Sequence, residues 1–182
     1  MHRWASQITL VAMLSASNAI MAAPITDHCA NLVPSANLSG CDLSGRMLKG
    51  FDLSGADLSG AKLENANLGG ARLDGADLHG ANLKWASLAR ASLKQADLRG
   101  ADMFHAILDG ADISHARLSK AFLFGANLIG TRAVGADFSQ AYLKDVLMED
   151  IDLSGGSLAD TYMLRGVISG GRFVDANRRA WT

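Results

Sequence analysis

An apolar residue, large at every position but Ala133, returns at every fifth position from Leu38 to Phe173, without an insertion or a skip. This makes 28 consecutive repeats, 20 centred on Leu and the rest on Met, Ile, Phe or Ala. Two places before the centre 18 repeats have Ala, and two places after it 15 have Gly, so the unit reads Ala-Asp/Asn-Leu-x-Gly. An α-helix advances about 100° per residue, so a five-residue period smears the Leu residues around the axis and leaves no amphipathic face. A straight strand fails as well, because an odd repeat throws successive Leu residues onto opposite faces. The chain must therefore turn within every repeat.

Ala and Leu, two apart on a short extended segment, point to the same side, and the next three residues must bend to restore that side. Such a unit cannot bury its apolar face alone. It stacks on its neighbours at about 4.8 Å, with backbone groups paired between coils. The result is a solenoid with a dry interior, in which each buried methylene contributes about 0.8 kcal/mol.

Runs such as Ala56-Asp57-Leu58-Ser59-Gly60 and Ala76-Asp77-Leu78-His79-Gly80 resemble the pentapeptide-repeat family. The resemblance covers about three quarters of the chain. It implies an all-β fold, a right-handed quadrilateral parallel β-helix with about 20 residues per coil, hence about seven coils and a rod of about 34 Å. The period alone does not fix the number of sides. Four sides are favoured by the residue just before the centre, which at a lag of twenty reads Asp52, Arg72, Ser92, Asp112, Arg132, Asp152, Arg172. Opposite charges there fall on adjacent coils, as stacking in columns requires.

The ends carry different signals. Residues 1–22 read as a secretory signal: His2 and Arg3, then Ile8, Leu10, Val11, Met13 and Leu14, then small residues, with cleavage expected after Ala19 or Ala22. Polar interruptions leave this stretch short of a clean span of about 20 residues, so no stable membrane insertion is expected after cleavage. Export, to a periplasm or beyond, changes the meaning of Cys29 and Cys41, since an oxidising compartment allows a disulfide. Cys41 occupies an inward Ala position in the first coil, and a bond to Cys29 would pin residues 23–35 as a cap over the exposed Leu columns. Arg46 and Phe51 also break the small inward pattern there. Residues 36–175 form the repeat body. Toward the far end Val146, Ile151, Gly156, Thr161, Gly166 and Gly171 replace inward Ala, so the last coils should be less regular, and the tail 176–182 is expected to fold Trp181 over the terminal core.

Chemistry needs converging groups, and the sequence shows none. His105 and His115 are ten residues apart, at opposite corners of a four-sided coil, and cannot share a metal. Asp57, Asp77 and Asp97 stack as an acidic ladder, without the six or more oxygen ligands that calcium takes. There is no nucleophile elbow, phosphate loop, zinc pattern or dinucleotide fingerprint, so no enzyme activity, cofactor or metal is expected. Net charge is −1, and nothing suggests a nucleic-acid binder. The informative feature is apolar and points outward. Phe104, Phe122, Phe124, Tyr142, Tyr162 and Leu164 share one expected face, and Ile107, Ile129, Leu147 and Val167 the next, all in the C-terminal half. The N-terminal half carries Lys62, Glu64, Asn67, Asn82, Lys84 and Ser87 in the same columns. A contiguous exposed apolar patch marks an interface. The expected function is a non-enzymatic exported scaffold that binds a protein partner, a second copy of itself included. The resemblance also raises the branch that imitates DNA and binds topoisomerases; Arg72, Arg117, Arg132 and Arg172 interrupt the acidic columns that branch would need. A third reading stacks the Phe/Tyr strip on sugar rings.

Overall fold

The structure is a computed structural model and describes residues 28–177. Each repeat places one residue, the one just before the apolar centre, in a parallel bridge with the residue twenty positions on. The series runs from Asn37↔Asp57 and Asp42↔Lys62 to Ser157↔Asn177. Twenty residues per turn at five per side makes the coil four-sided, the right-handed quadrilateral β-helix expected from the repeats. The sides are named here by their first centres: Leu38, Leu43, Leu48 and Leu53.

Backbone pairing is continuous up the tube. Leu38 N–H donates to the Asp57 carbonyl (2.7 Å), Asp57 N–H to the Ala36 carbonyl (2.9 Å) and Gly40 N–H to the Ser59 carbonyl (2.9 Å), and the pattern repeats coil after coil. Among the described residues, three consecutive residues pair as a strand only at β1 (Leu147–Glu149) and β2 (Val167–Ser169), which run parallel with Leu147 opposite Val167.

Each corner is a turn closed by a bond such as Cys41 N–H to the Leu38 carbonyl (3.1 Å). Its third residue alone has positive φ, the type II pattern that favours Gly. At Gly40 (φ 66°) an added Cβ would meet nothing within 4 Å, so conformation rather than space selects glycine there. Fourteen corners, from Ser35 to Asp175, carry another residue in the same left-handed conformation.

Ala two before the centre and the centre itself both point inward and are buried, Leu58, Leu88 and Leu118 fully. Phe138 is the largest side chain that is fully buried, and the centre preceding it is Ala133. Where Thr replaces inward Ala its hydroxyl is satisfied: Thr131 donates to the Leu108 carbonyl (2.9 Å) and Thr161 to that of Leu158 (3.0 Å).

Cys29 and Cys41 form a disulfide, with Cα atoms 5.5 Å apart. It holds a short 3-10 turn, His28–Ala30, over the first coil, where Leu32 packs on the core. The cover is partial: Ala36 and Cys41 are buried beneath it, while Arg46 and Phe51 remain exposed. At the opposite end Met163, Ile168 and Phe173 are only partly covered. The irregular inward residues there compensate one another. A Cβ at Gly166 would lie 3.2 Å from Val146 Cγ1, and one at Gly171 3.2 Å from Ile151 Cγ2, so a larger side chain one coil below has taken the space of the missing Ala. The leader and residues 23–27 of the cap lie outside the described residues, as does Trp181. No helix among the described residues is long and apolar enough to cross a membrane.

Candidate interaction surface

The Leu43 side carries the aromatic columns. Its bridging residues change from Asp42, Lys62, Asn82 and Asp102 to Phe122, Tyr142 and Tyr162. These three aromatics are 46%, 47% and 42% exposed, so they face outward and none has turned into the tube. The coil spacing lets the rings stack: Phe122 lies on Tyr142 with centroids 4.8 Å apart and planes 6° apart, and Tyr142 meets Tyr162 at 6.3 Å. The position after the centre makes a second column, in which Phe104 stacks on Phe124 at 5.3 Å and 7°. Lys144 Nζ lies 5.4 Å over the Phe124 ring, placing a cation between Phe124 and Leu164.

Two members of this surface were not assigned to it from the sequence. Trp85 stacks on His105 at 4.3 Å, and Phe104 packs edge-on against both rings. Their signal is the same lag of twenty, at the corner position, where Trp85, His105 and Gly125 succeed one another. A side chain at Gly125 would collide with the His105 ring, so this glycine leaves the imidazole its place. Farther up that corner Arg165 donates two bonds of 2.7 Å to the Asp145 carboxylate, which holds the Asp145 carboxyl below its ordinary range.

The apolar residues of the Leu48 side do not form one patch. Ile107, Val167 and Leu147 share a bridging column, but Asn127 stands between Ile107 and Leu147, and its amide donates to Asp109 (3.3 Å). Ile129 lies in the next column between Asp109 and Glu149. The same side holds a shallow groove of about 500 Å³ floored by Gly69 and Ala89 and bounded by Lys49, Arg90 and Asp109. Its polar groups sit on a different side from the stacked rings.

Part of the charge on the remaining sides is paired. Arg72 reaches Asp52 at 3.2 Å and Arg132 reaches Asp112 at 4.0 Å on the Leu53 side. On the Leu38 side Asp57, Asp77 and Asp97 do stack. There Arg99 grips Asp97 at 2.6 Å, and Arg117 approaches it at 3.4 Å. Hydrogen bonds from Arg99 lower the Asp97 pKa, and those from Ser59 lower that of Asp57. The acidic columns are therefore interrupted at Arg72, Arg117 and Arg132, and Asp57, Asp77 and Asp97 remain as a run of three.

The family model described as pentapeptide repeats (8 copies) matches five overlapping stretches: 36–75, 52–88, 86–123, 106–145 and 121–160. No curated protein matches the chain. Among solved structures, the chain is similar to a trypsin-treated variant of QnrB1, a plasmid-mediated fluoroquinolone resistance protein, with a TM-score of 0.70 and 20% identity over 79% of this chain and 72% of that one. It is also similar to a pentapeptide repeat protein of the Arabidopsis thaliana thylakoid lumen, at 28% identity over 60% of this chain and 66% of that one, with a TM-score of 0.38. The first likeness concerns the fold. Repeat matches from residue 36 to residue 160, on a coil whose bridges run at intervals of twenty, make this chain a member of the pentapeptide repeat family.

Proposed function

We propose that the protein is an exported, non-enzymatic scaffold that docks a protein partner through the aromatic columns of the Leu43 side, a second copy of the chain being the simplest such partner. The supporting observation is the outward stack of Phe122, Tyr142 and Tyr162 beside Phe104 and Phe124, on a face whose N-terminal half is charged and polar. Half-exposed rings held in register by the backbone present rigid apolar area at little entropic expense, which suits the centre of an interface. A two-fold axis through such a patch would bury it against itself without a second gene product. Export rests on the leader in residues 1–22 and fits a disulfide at Cys29 and Cys41. Imitation of DNA is not supported, because Arg72, Arg99, Arg117 and Arg132 sit on the outward carboxylates. Sedimentation velocity tests the reading. The mature protein is expected to be a dimer that dissociates when Phe122→Lys and Tyr142→Glu are introduced together, and a monomer in both cases would overturn self-association. Amino-terminal sequencing of protein recovered outside the cytoplasm should begin at Ile20 or Ala23.

A further inference from the structure

The N-terminal cap holds three potential ligand atoms together: the His28 ring nitrogen, Cys29 Sγ and Cys41 Sγ all lie within 4.8 Å of one another. It is the one group of three His, Cys or acidic side chains so gathered among the described residues. With the disulfide closed both sulfurs are spent, and the group has no thiolate to offer. Reduction changes its chemistry. We propose that the reduced cap is a binding site for a d10 cation of the zinc type, held by Cys29, Cys41 and His28, so that one staple has two interchangeable forms, a disulfide and a metal thiolate.

The geometry is close to what such an ion takes. Tetrahedral zinc has bonds of about 2.3 Å to sulfur and about 2.0 Å to nitrogen, which sets sulfur and nitrogen ligands about 3.5 Å apart and two sulfurs about 3.7 Å apart. Cys29 Sγ and His28 Nε2 already stand 3.7 Å apart. The two sulfurs must separate after the bond opens, and the His28 nitrogen already stands within 4.8 Å of Cys41 Sγ. His28 and Cys29 share the short turn His28–Ala30, while Cys41 is fixed in the first coil by its buried position. The ion would thus tie the cap to the coil at the same point as the disulfide does. His28 is exposed, which leaves an entry path and room for water as the fourth ligand.

The step balances without hidden partners. An external dithiol gives two electrons and two protons to the Cys29–Cys41 bond, becomes a disulfide itself, and leaves two thiols. The divalent cation then displaces the two thiol protons and binds the two thiolates and the neutral imidazole, so uptake releases protons and strengthens as pH rises. Reoxidation by an external disulfide passes two electrons from the two thiolates to that disulfide, which takes two protons from solvent and leaves as a dithiol, while the Cys29–Cys41 bond reforms and the ion is expelled.

Cobalt(II), a spectroscopic stand-in for zinc, tests this on the purified protein. After reduction with a phosphine and removal of the excess, one equivalent of cobalt should produce a near-ultraviolet thiolate-to-metal charge-transfer band. The oxidised protein should give none. His28→Ala should weaken binding at least about tenfold, the loss that even a residue supporting a ligand can cause. Cys29→Ser should abolish the band; that residue belongs to the cap, so the coils remain folded in the variant. A reduced protein without the band would overturn the proposal and leave a purely structural disulfide. Binding unchanged in His28→Ala would likewise remove the imidazole, and with it the site described.

Discussion

At the scale of single residues, the turn after each centre and the residue before it do separate work. The bridging Asp recurs because its carboxylate accepts from the residue two positions on. Asp52 takes the Ser54 backbone N–H at 3.1 Å and its hydroxyl at 2.7 Å, and Asp57 and Asp152 do the same with Ser59 and Ser154. Bonds to the charged form lower a carboxyl pKa. Accordingly Asp42, Asp52, Asp57 and Asp152 lie below the ordinary 3.8, through the serine hydroxyl first and its backbone N–H second. At Asp112 burial pushes upward most strongly, but Ser114 and Lys94 together outweigh it. A carboxyl whose folded pKa is depressed stabilises the fold above its unfolded value, and that contribution is lost as pH falls through the folded value. Thermal midpoints should therefore be level near neutrality and fall progressively below about pH 4. Replacing Ser54, Ser59 and Ser154 together by Ala should flatten this acid limb, and a limb unchanged in steepness would show that these bonds do not carry it.

At the scale of the repeat, a missing side chain can be matched by bulk at a neighbour, as Val146 and Ile151 do beside Gly166 and Gly171. Ala133 leaves space at one centre, and Phe138 supplies bulk at the next; both are fully buried. Interiors are packed closely enough that either change alone should be felt. Ala133→Leu is expected to overpack by about 1–3 kcal/mol, and Phe138→Leu to leave a cavity of similar consequence, about 1–3 kcal/mol. The double variant restores the regular Leu pattern and should recover much of both losses in urea unfolding; strictly additive effects would show that the two sites are not coupled. Much of this was legible in the sequence. The strict quintet fixes which residues face inward, and the lag of twenty puts Phe122, Tyr142 and Tyr162 in one column, because backbone pairing leaves no freedom to slip. Less was legible where contacts cross columns. Trp85 and His105 sit at corners, where the repeat asks for Gly; the lag of twenty places them one above the other, but the edge-on packing of Phe104 from the neighbouring column depends on side-chain rotamers. The broken continuity of Ile107, Ile129 and Leu147 follows from Asn127 at the same lag of twenty, whereas the bond from its amide across to Asp109 is one that no period announces. At the first coil Arg46 and Phe51 are exposed, while Ala36 and Cys41, beside the disulfide-held turn, are buried.

For the molecule as a whole, inside and outside obey different arithmetic. The interior requires only that an apolar residue recur every fifth position, whereas the outer columns require that like residues recur every twentieth. One additional Ala-Asp-Leu-Ser-Gly quintet placed after Gly110 should thus be absorbed by the core, with far-ultraviolet spectra and cooperative unfolding retained. Every residue beyond it would be carried a quarter turn about the axis. Phe104 would no longer lie under Phe124, and Trp85 and Phe104 would be left on one side of the rod while Phe122, Tyr142 and Tyr162 moved to the next. Sedimentation of this insertion variant separates fold from docking, since the chain should remain folded while any assembly that spans both groups of rings weakens. Loss of folding would contradict the idea that the core reads only the shorter period. A lineage can therefore lengthen such a rod in small steps while preserving its interior, but a surface it has come to rely on is kept in phase only by gaining or losing a full circuit at a time.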